Sequence, residues 1–260
     1  MKKAKWVDAY HSNDNMDKIP TSDYEVIFIG DDYCDRLLVS NHTIKEIYSF
    51  VQINKMKLGI KTPVISEEFI AKYCKMIDYI VDNKMSVIMT VNDWGLLSYI
   101  CDKSYKGIEI IIGRFLVRQK TDRFTSYLRG FVPEAVYQHY CSPTLLNDYF
   151  LNFAKEKSIR IFEVENVPNE ICFPQNDDSY LIMLTYPYVC TALTRYCPYY
   201  QHNSILSISE CNTECRNNRI SLVADIHGEY KYISNALVYE NFNINVNSII
   251  YMLLDENERG

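Results

Sequence analysis

The feature that most constrains this chain is an alternation of short apolar runs with segments of helical spacing. Residues 25–30 (EVIFIG), 86–93 (SVIMTVND) and 107–113 (GIEIIIG) are short, apolar and closed by glycine or acidic residues, so they read as buried strands. Between them, 42–55 places Ile44, Ile47, Tyr48 and Val51 on one helical face. A second helix follows Ser66, a candidate N-cap, with Glu67 and Glu68 in its first turn and Phe69, Tyr73, Ile77, Ile80 and Val81 along its stripe. A third runs from Trp94 to Cys101. The segment 62–65 (TPVI) is expected to be a further strand with its side chains in the core.

After an irregular or helical excursion through the middle, helix returns at 145–157, strand at 158–167, and a long apolar strand at 179–189. Beyond lie 220–228 and 231–241, and then 245–254 (NVNSIIYMLL), which reads as a final helix. Strands and helices alternating over short connections indicate a parallel α/β fold, here a (β/α) barrel, complete or lacking strands. An open doubly wound sheet is the alternative, but neither G-x-G-x-x-G nor G-x-x-x-x-G-K-[ST] occurs to support it. Residues 1–22 read as a polar lead-in and 23–260 as one barrel domain.

The net charge of -6 argues against a broad basic surface for nucleic acid. The first residues are basic but lack the apolar stretch of a secretory signal, and no run of apolar residues is long enough to span a membrane. Nine cysteines in such a chain point to the reducing cytoplasm rather than a disulfide framework.

Those cysteines divide into kinds. Cys74 and Cys101 fall within helices and read as packing residues. Cys141 and Cys172 have no evident sequence partner, and Cys190 ends an apolar strand, either as its last core residue or as an extra ligand. Cys197, Cys211 and Cys215 are different, because they lie in a polar stretch with C-x13-C-x3-C spacing. A C-x3-C pair lets two thiolates approach one centre from a tight turn, and soft sulphur donors select iron–sulphur centres or zinc. Zinc is the competing ion, with His202 and His227 as further candidate ligands, although the paired C-x2-C knuckles of a zinc ribbon are missing.

The segments VIFIGDDYCDRLLVS, VNDWGLL, IIIGRFL and RYC…CNTEC resemble the peptidase U32 family, and within it the UbiV-like subgroup, the smaller partner in oxygen-independent ubiquinone hydroxylation. The order of these segments matches from about residue 24 to about residue 225. The resemblance implies a barrel-like fold and a [4Fe-4S] cluster on Cys34, Cys197, Cys211 and Cys215. It also implies a redox or hydroxylase subunit working in a heterodimer with a second U32-like protein. A non-catalytic cluster-bearing partner, a U32-type peptidase and a zinc-stabilised binding protein are the alternatives. The Arg195-Tyr196-Cys197 element carries a tyrosine where the subgroup has arginine directly before cysteine.

In a barrel, chemistry belongs where strands end in polar residues. Asn92 and Asp93 close one strand and Arg114 follows another, making them candidates to line a small-molecule pocket. Asp93 is suited to orient a substrate or act as a base, and Arg114 to bind a carboxylate through two nitrogens. The plainer roles are a helix N-cap for Asn92-Asp93 and a surface salt bridge for Arg114.

Overall fold

The computed structural model describes residues 2–7, 23–122, 124–143, 147–171, 180–194, 197, 211, 213, 222–223, 229–244 and 249–255. Strand β1 is Lys2–Trp6 and β2 is Val26–Gly30. Then α1 (Asn41–Ile53), β3 (Lys57–Thr62), α2 (Glu67–Asp82), β4 (Val87–Val91), α3 (Trp94–Lys103) and β5 (Ile108–Ile112) follow in strict alternation. The connection to β6 (Ile161–Glu165) carries three helices: α4 (Arg114–Val117), α5 (Glu134–Cys141) and α6 (Asp148–Glu156). Next come β7 (Leu181–Tyr186), β8 (Tyr188–Leu193), β9 (Leu222–Val223), β10 (Tyr230–Ile233), β11 (Ala236–Glu240) and β12 (Ile249–Asp255).

Seven strands form a curled parallel sheet in the order β12-β7-β6-β5-β4-β3-β2, and β1 pairs in parallel with both of its edges. Among the described residues these eight strands close into a barrel. A second sheet, β8-β11-β10-β9, is antiparallel and is inserted between β7 and β12.

Side chains alternate across the barrel wall, as the period of two requires. Ile27, Ile29, Leu58, Ile60, Met89, Val164 and Leu184 face outward into one core shared with α1, α2 and α3, whose buried faces include Ile44, Val51, Tyr73, Ile77 and Leu97. Ala4, Val26, Phe28, Ile88, Ile111, Ile161, Met183 and Leu253 fill the inside. Phe28 lies where a side chain on Gly59 would project, so only glycine at that position lets the ring fill the barrel floor. The inserted sheet lays Tyr188, Cys190, Ala236 and Val238 against this interior cluster.

Several expectations need correction. The N-terminal segment is no mere lead-in, because Lys2–Trp6 supplies a barrel strand with Ala4 and Trp6 inside. The segment 62–65 is not the second strand. That strand is Lys57–Thr62, and Val64 is exposed. Its apolar signal was masked by Lys57, Gly59 and Lys61, of which Lys61 is fully buried by ion pairing. The expected final helix is β12, which pairs in parallel with β7 and β1 and buries Leu253 inside the barrel. The long strand at 179–189 is two, divided at Pro187, and its second half joins the other sheet. Ser66 does cap α2 by position, yet its hydroxyl donates to Asp35 Oδ2 at 2.5 Å rather than accepting from the helix. No helix among the described residues is long and apolar enough to cross a membrane.

Deleting residues 1–7 leaves β2 and β12 with exposed pairing edges and opens the barrel. Thermal unfolding followed by circular dichroism should lose its cooperative transition; an unchanged melting curve would show that β1 is dispensable.

Candidate functional site

Most of the buried charges among the described residues lie toward the C-terminal ends of the barrel strands. Asp32 follows β2, Lys61 lies on β3, Arg114 opens α4 after β5, and Glu163 and Glu165 occupy alternate, inward positions of β6. Lys61 Nζ sits 2.5 Å from Asp32 Oδ2 and 2.7 Å from Glu163 Oε1, and lies 4.5 Å from the centre of the Trp6 ring. Arg114 bridges outward from the same carboxylate, with Nη2 at 3.0 Å from Asp32 Oδ2 and Nη1 at 3.0 Å from Glu165 Oε2. Nη2 also donates to the Tyr33 hydroxyl at 2.8 Å, and Thr185 donates to Glu163 Oε1 at 2.5 Å. Trp6 Nε1 is tied to the Gly30 carbonyl at 2.8 Å, which joins β1 to the end of β2.

Charge balance decides the chemistry of this network. It contains three carboxyl groups and two cations, all buried, so one negative charge is in excess. A lone buried charge is costly, and taking up a proton is the usual relief. Glu165 is pushed up to about 7 by burial, against the pull of Arg114, with Glu163 adding to the rise. Asp32 is raised to about 6, again by burial first, with Lys61 opposing. Burial acts upward on Glu163 as well, but Lys61 and Arg114 outweigh it and hold that carboxyl below its ordinary value. Arg114 stays charged, because Glu165, Tyr33 and Asp32 more than offset its burial.

Above this network is a cavity of about 720 Å³, lined by Asn92, Asp93, Trp94, Arg114, Phe115, Glu165 and Cys190 among others. Residues Thr191, Ala192 and Leu193 of β8 complete its wall. The three pocket candidates from the sequence thus stand together, but in different roles. Asp93 is the N-cap of α3, accepting from Leu96 N at 2.9 Å and from Ile65 N at 3.3 Å, so both its oxygens are engaged structurally. Asn92 points into the barrel, donating to Asp32 Oδ1 and the Thr62 carbonyl and accepting from Phe115 N. A side chain at position 113 would collide with its carboxamide, hence Gly113. Arg114 is not a surface salt bridge, being 2% exposed. Nor is it an open clamp for a carboxylate, since Asp32 and Glu165 hold its two terminal nitrogens. At the far end of α4, Arg118 lines the same cavity with φ +39 and ψ 114, a backbone conformation that costs about 1–3 kcal/mol and is found mostly at functional sites.

The network was partly legible. In IFEVE, acids alternate with apolar residues inside a buried strand, which puts Glu163 and Glu165 on the barrel's inner face. Lys61 and Asp32 gave no such signal, because their partners are remote in sequence.

The cysteines fall into separate environments. Cys74 and Cys101 pack against the outer core, and burial raises both thiols. Cys190 lines the cavity, but burial and then the Glu165 charge push its thiol far up, the opposite of an activated nucleophile. Cys34 stands four positions past the end of β2, half-buried, its amide donating to Asp31 Oδ1 at 2.7 Å. Cys197 follows β8 by four positions, and both Cys197 and Cys211 are half-buried. The Thr213 amide donates to Cys211 Sγ at 3.4 Å, with Thr213 at φ +59. Cys215, His202 and His227 lie outside the described residues. Among the described residues, no three His, Cys, Asp or Glu side chains are grouped as metal ligands. No protein-family model and no curated protein matches this chain.

Replacing Arg114 with Met should cost about 3–5 kcal/mol in denaturant unfolding, because Asp32 and Glu165 lose their shared cation. A loss below about 1 kcal/mol would show that the network is not under electrostatic stress. The pH dependence has a definite sign. With its folded value raised to about 7, Glu165 contributes stability that is full below its ordinary 4.5 and lost as the pH rises through about 7. Relative to Glu165→Gln, the wild type should lose about 3 kcal/mol across that window. Glu163, held low, loses its contribution only as the pH falls below 4.5, so it acts in a different range.

Proposed function

We propose that this chain is an iron–sulphur protein of the U32 type, a subunit of an oxygen-independent hydroxylase or related redox enzyme. It works with a second U32-like protein and takes a small-molecule substrate in the barrel-mouth cavity. The observation that carries this reading is topological. Cys34 follows the C-terminal end of β2, and β8, which leads to Cys197, runs along the wall of the cavity at that same end of the barrel. Four residues span at most about 14 Å, so Cys197 stays near the mouth.

The donor set fits a cluster. Cys34, Cys197 and Cys211 are all half-buried, within reach of a group bound at the surface of the barrel end. A backbone amide directed at the Cys211 sulphur, at the end of a positive-φ turn, is an arrangement that stabilises a metal-bound thiolate. Cys34, Cys197, Cys211 and Cys215 would hold the group, which supplies single-electron transfer when bound. The protein's own residues do the rest. The network beneath the cavity fixes Arg114 and Glu165 in place, Trp94 and Phe115 offer apolar walls, and the β8 segment covers one side against water.

Anaerobic purification followed by iron and sulphide determination, absorbance and EPR tests the reading. The protein should be brown and carry close to four irons. Serine at Cys34, Cys197, Cys211 or Cys215 should each lower the iron content severalfold, whereas Cys74→Ser and Cys101→Ser should leave it unchanged. A colourless, zinc-loaded protein would overturn the proposal.

A further inference from the structure

We propose that the groove between α3 and α6, on the outer flank of the barrel, binds a flat aromatic carboxylate, with its rings against Trp94, Tyr149 and Phe153 and its anion on Lys157. The site lies outside the barrel interior, goes beyond the redox reading and uses none of the four cysteines proposed as ligands.

Helical spacing builds the groove. On α3, Trp94, Leu97 and Cys101 follow one another at intervals of about one turn, and from α6 Tyr149, Phe153 and Lys157 do the same. These two stripes line one cavity of about 500 Å³, whose floor is the buried pair Leu97 and Phe150. Trp94 meets Phe150 edge-on at 5.7 Å and Phe153 at 6.5 Å, while Phe150 and Phe153 are stacked at 6.2 Å. Trp94 is 48% exposed and Tyr149 90%. Large rings left in water at the rim of an apolar cleft mark a place where a ligand lies.

The charge of the occupant follows from which polar groups are already engaged. Asn147 Oδ1 accepts from the Phe150 amide as the N-cap of α6, and Asp102 Oδ2 accepts from the Ser98 hydroxyl at 3.2 Å. Asp102 stands one position past Cys101, hence about 100° round α3 from the floor. Lys157 lies one turn beyond Phe153, and among the described residues no carboxylate comes within ion-pair distance of it. Its charge reaches the floor. Burial raises the Cys101 thiol, and Lys157 opposes that rise more strongly than Asp102, the sequence neighbour, adds to it. A solvated lysine by itself needs no partner. This one closes an aromatic cleft whose carboxylate is held at the rim, so a flat ring bearing an anion complements both the rings and the cation.

The test uses the full chain labelled with 5-fluorotryptophan and three isosteric probes, 2-naphthoate, 2-naphthamide and 2-naphthylmethylamine. The two tryptophans give two fluorine resonances, one from Trp94 and one from Trp6, which is 3% exposed inside the barrel. Naphthoate should shift the Trp94 resonance saturably, with a Kd of about 1 mM or tighter, and leave Trp6 unmoved. Naphthamide should bind about threefold more weakly, and the amine about tenfold more weakly. Lys157→Met keeps the apolar stem and loses the charge, so it should bring naphthoate down to the affinity of the amide without altering the amide. Tyr149→Ala should weaken all three probes about threefold or more. Both side chains are exposed, so neither variant disturbs the core. Trp94 also lines the mouth cavity, which makes the Lys157 variant decisive. A preference for naphthoate that survives Lys157→Met arises elsewhere and overturns the inference. So does the absence of a saturable Trp94 shift, or amide or amine binding as tight as that of naphthoate.

Discussion

The ion network inside the barrel is the constraint on which the rest of the structure turns. Lys61 and Arg114 share Asp32, and through it β2, β3, the start of α4 and β6 are locked at one end of the barrel. Replacing such a network with apolar side chains would cost little or even stabilise the fold. Burying it is therefore poor value as a structural device. It stands beneath a cavity at the C-terminal end of the barrel, the end at which barrel enzymes in general carry their active sites.

The lower half of the barrel explains why such an array is tolerated. Phe28 over Gly59, with Val26, Ile88, Ile111, Ile161 and Met183, makes a dry floor below the charges. The inserted sheet adds Tyr188, Cys190, Ala236 and Val238 above. Packed among these apolar residues, the ions pair with one another. The same inserted sheet leads from β8 toward Cys197, so the covering of the mouth and the approach to the cysteine segment come from one stretch of chain.

Much of the fold was legible because local signals agreed with it. β2, β4 and β5 announced themselves as apolar runs, α1 and α2 as amphipathic stripes that are buried apart from the half-buried Tyr48 and Val81, and α3 as a helix. The misreadings came where tertiary contacts overrode local pattern. Lys57–Thr62 looks polar because the partners of Lys61 are Asp32 and Glu163, 102 residues away in the second case. Lys2–Trp6 looks like a tail because its only reason to be a strand is the pair of edges it joins. β12 looks helical because its apolar run IIYMLL has no polar alternation to mark it as a strand. At the site, Asn92, Asp93 and Arg114 were found from their positions at strand ends, but their roles were not. Only the packed structure shows that Asp93 is spent on capping and that Arg114 is enclosed between carboxylates.

The account thus joins a buried charge network at one barrel end with the proposal that Cys34 and Cys197, each four positions past a strand, help to hold a cluster beside it. Anomalous diffraction from anaerobically grown crystals, collected across the iron and zinc edges, tests that union most directly. The account predicts an iron signal at the C-terminal mouth, with Cys34 and Cys197 among its ligands. A zinc signal in its place, or iron bound away from the mouth, would contradict it.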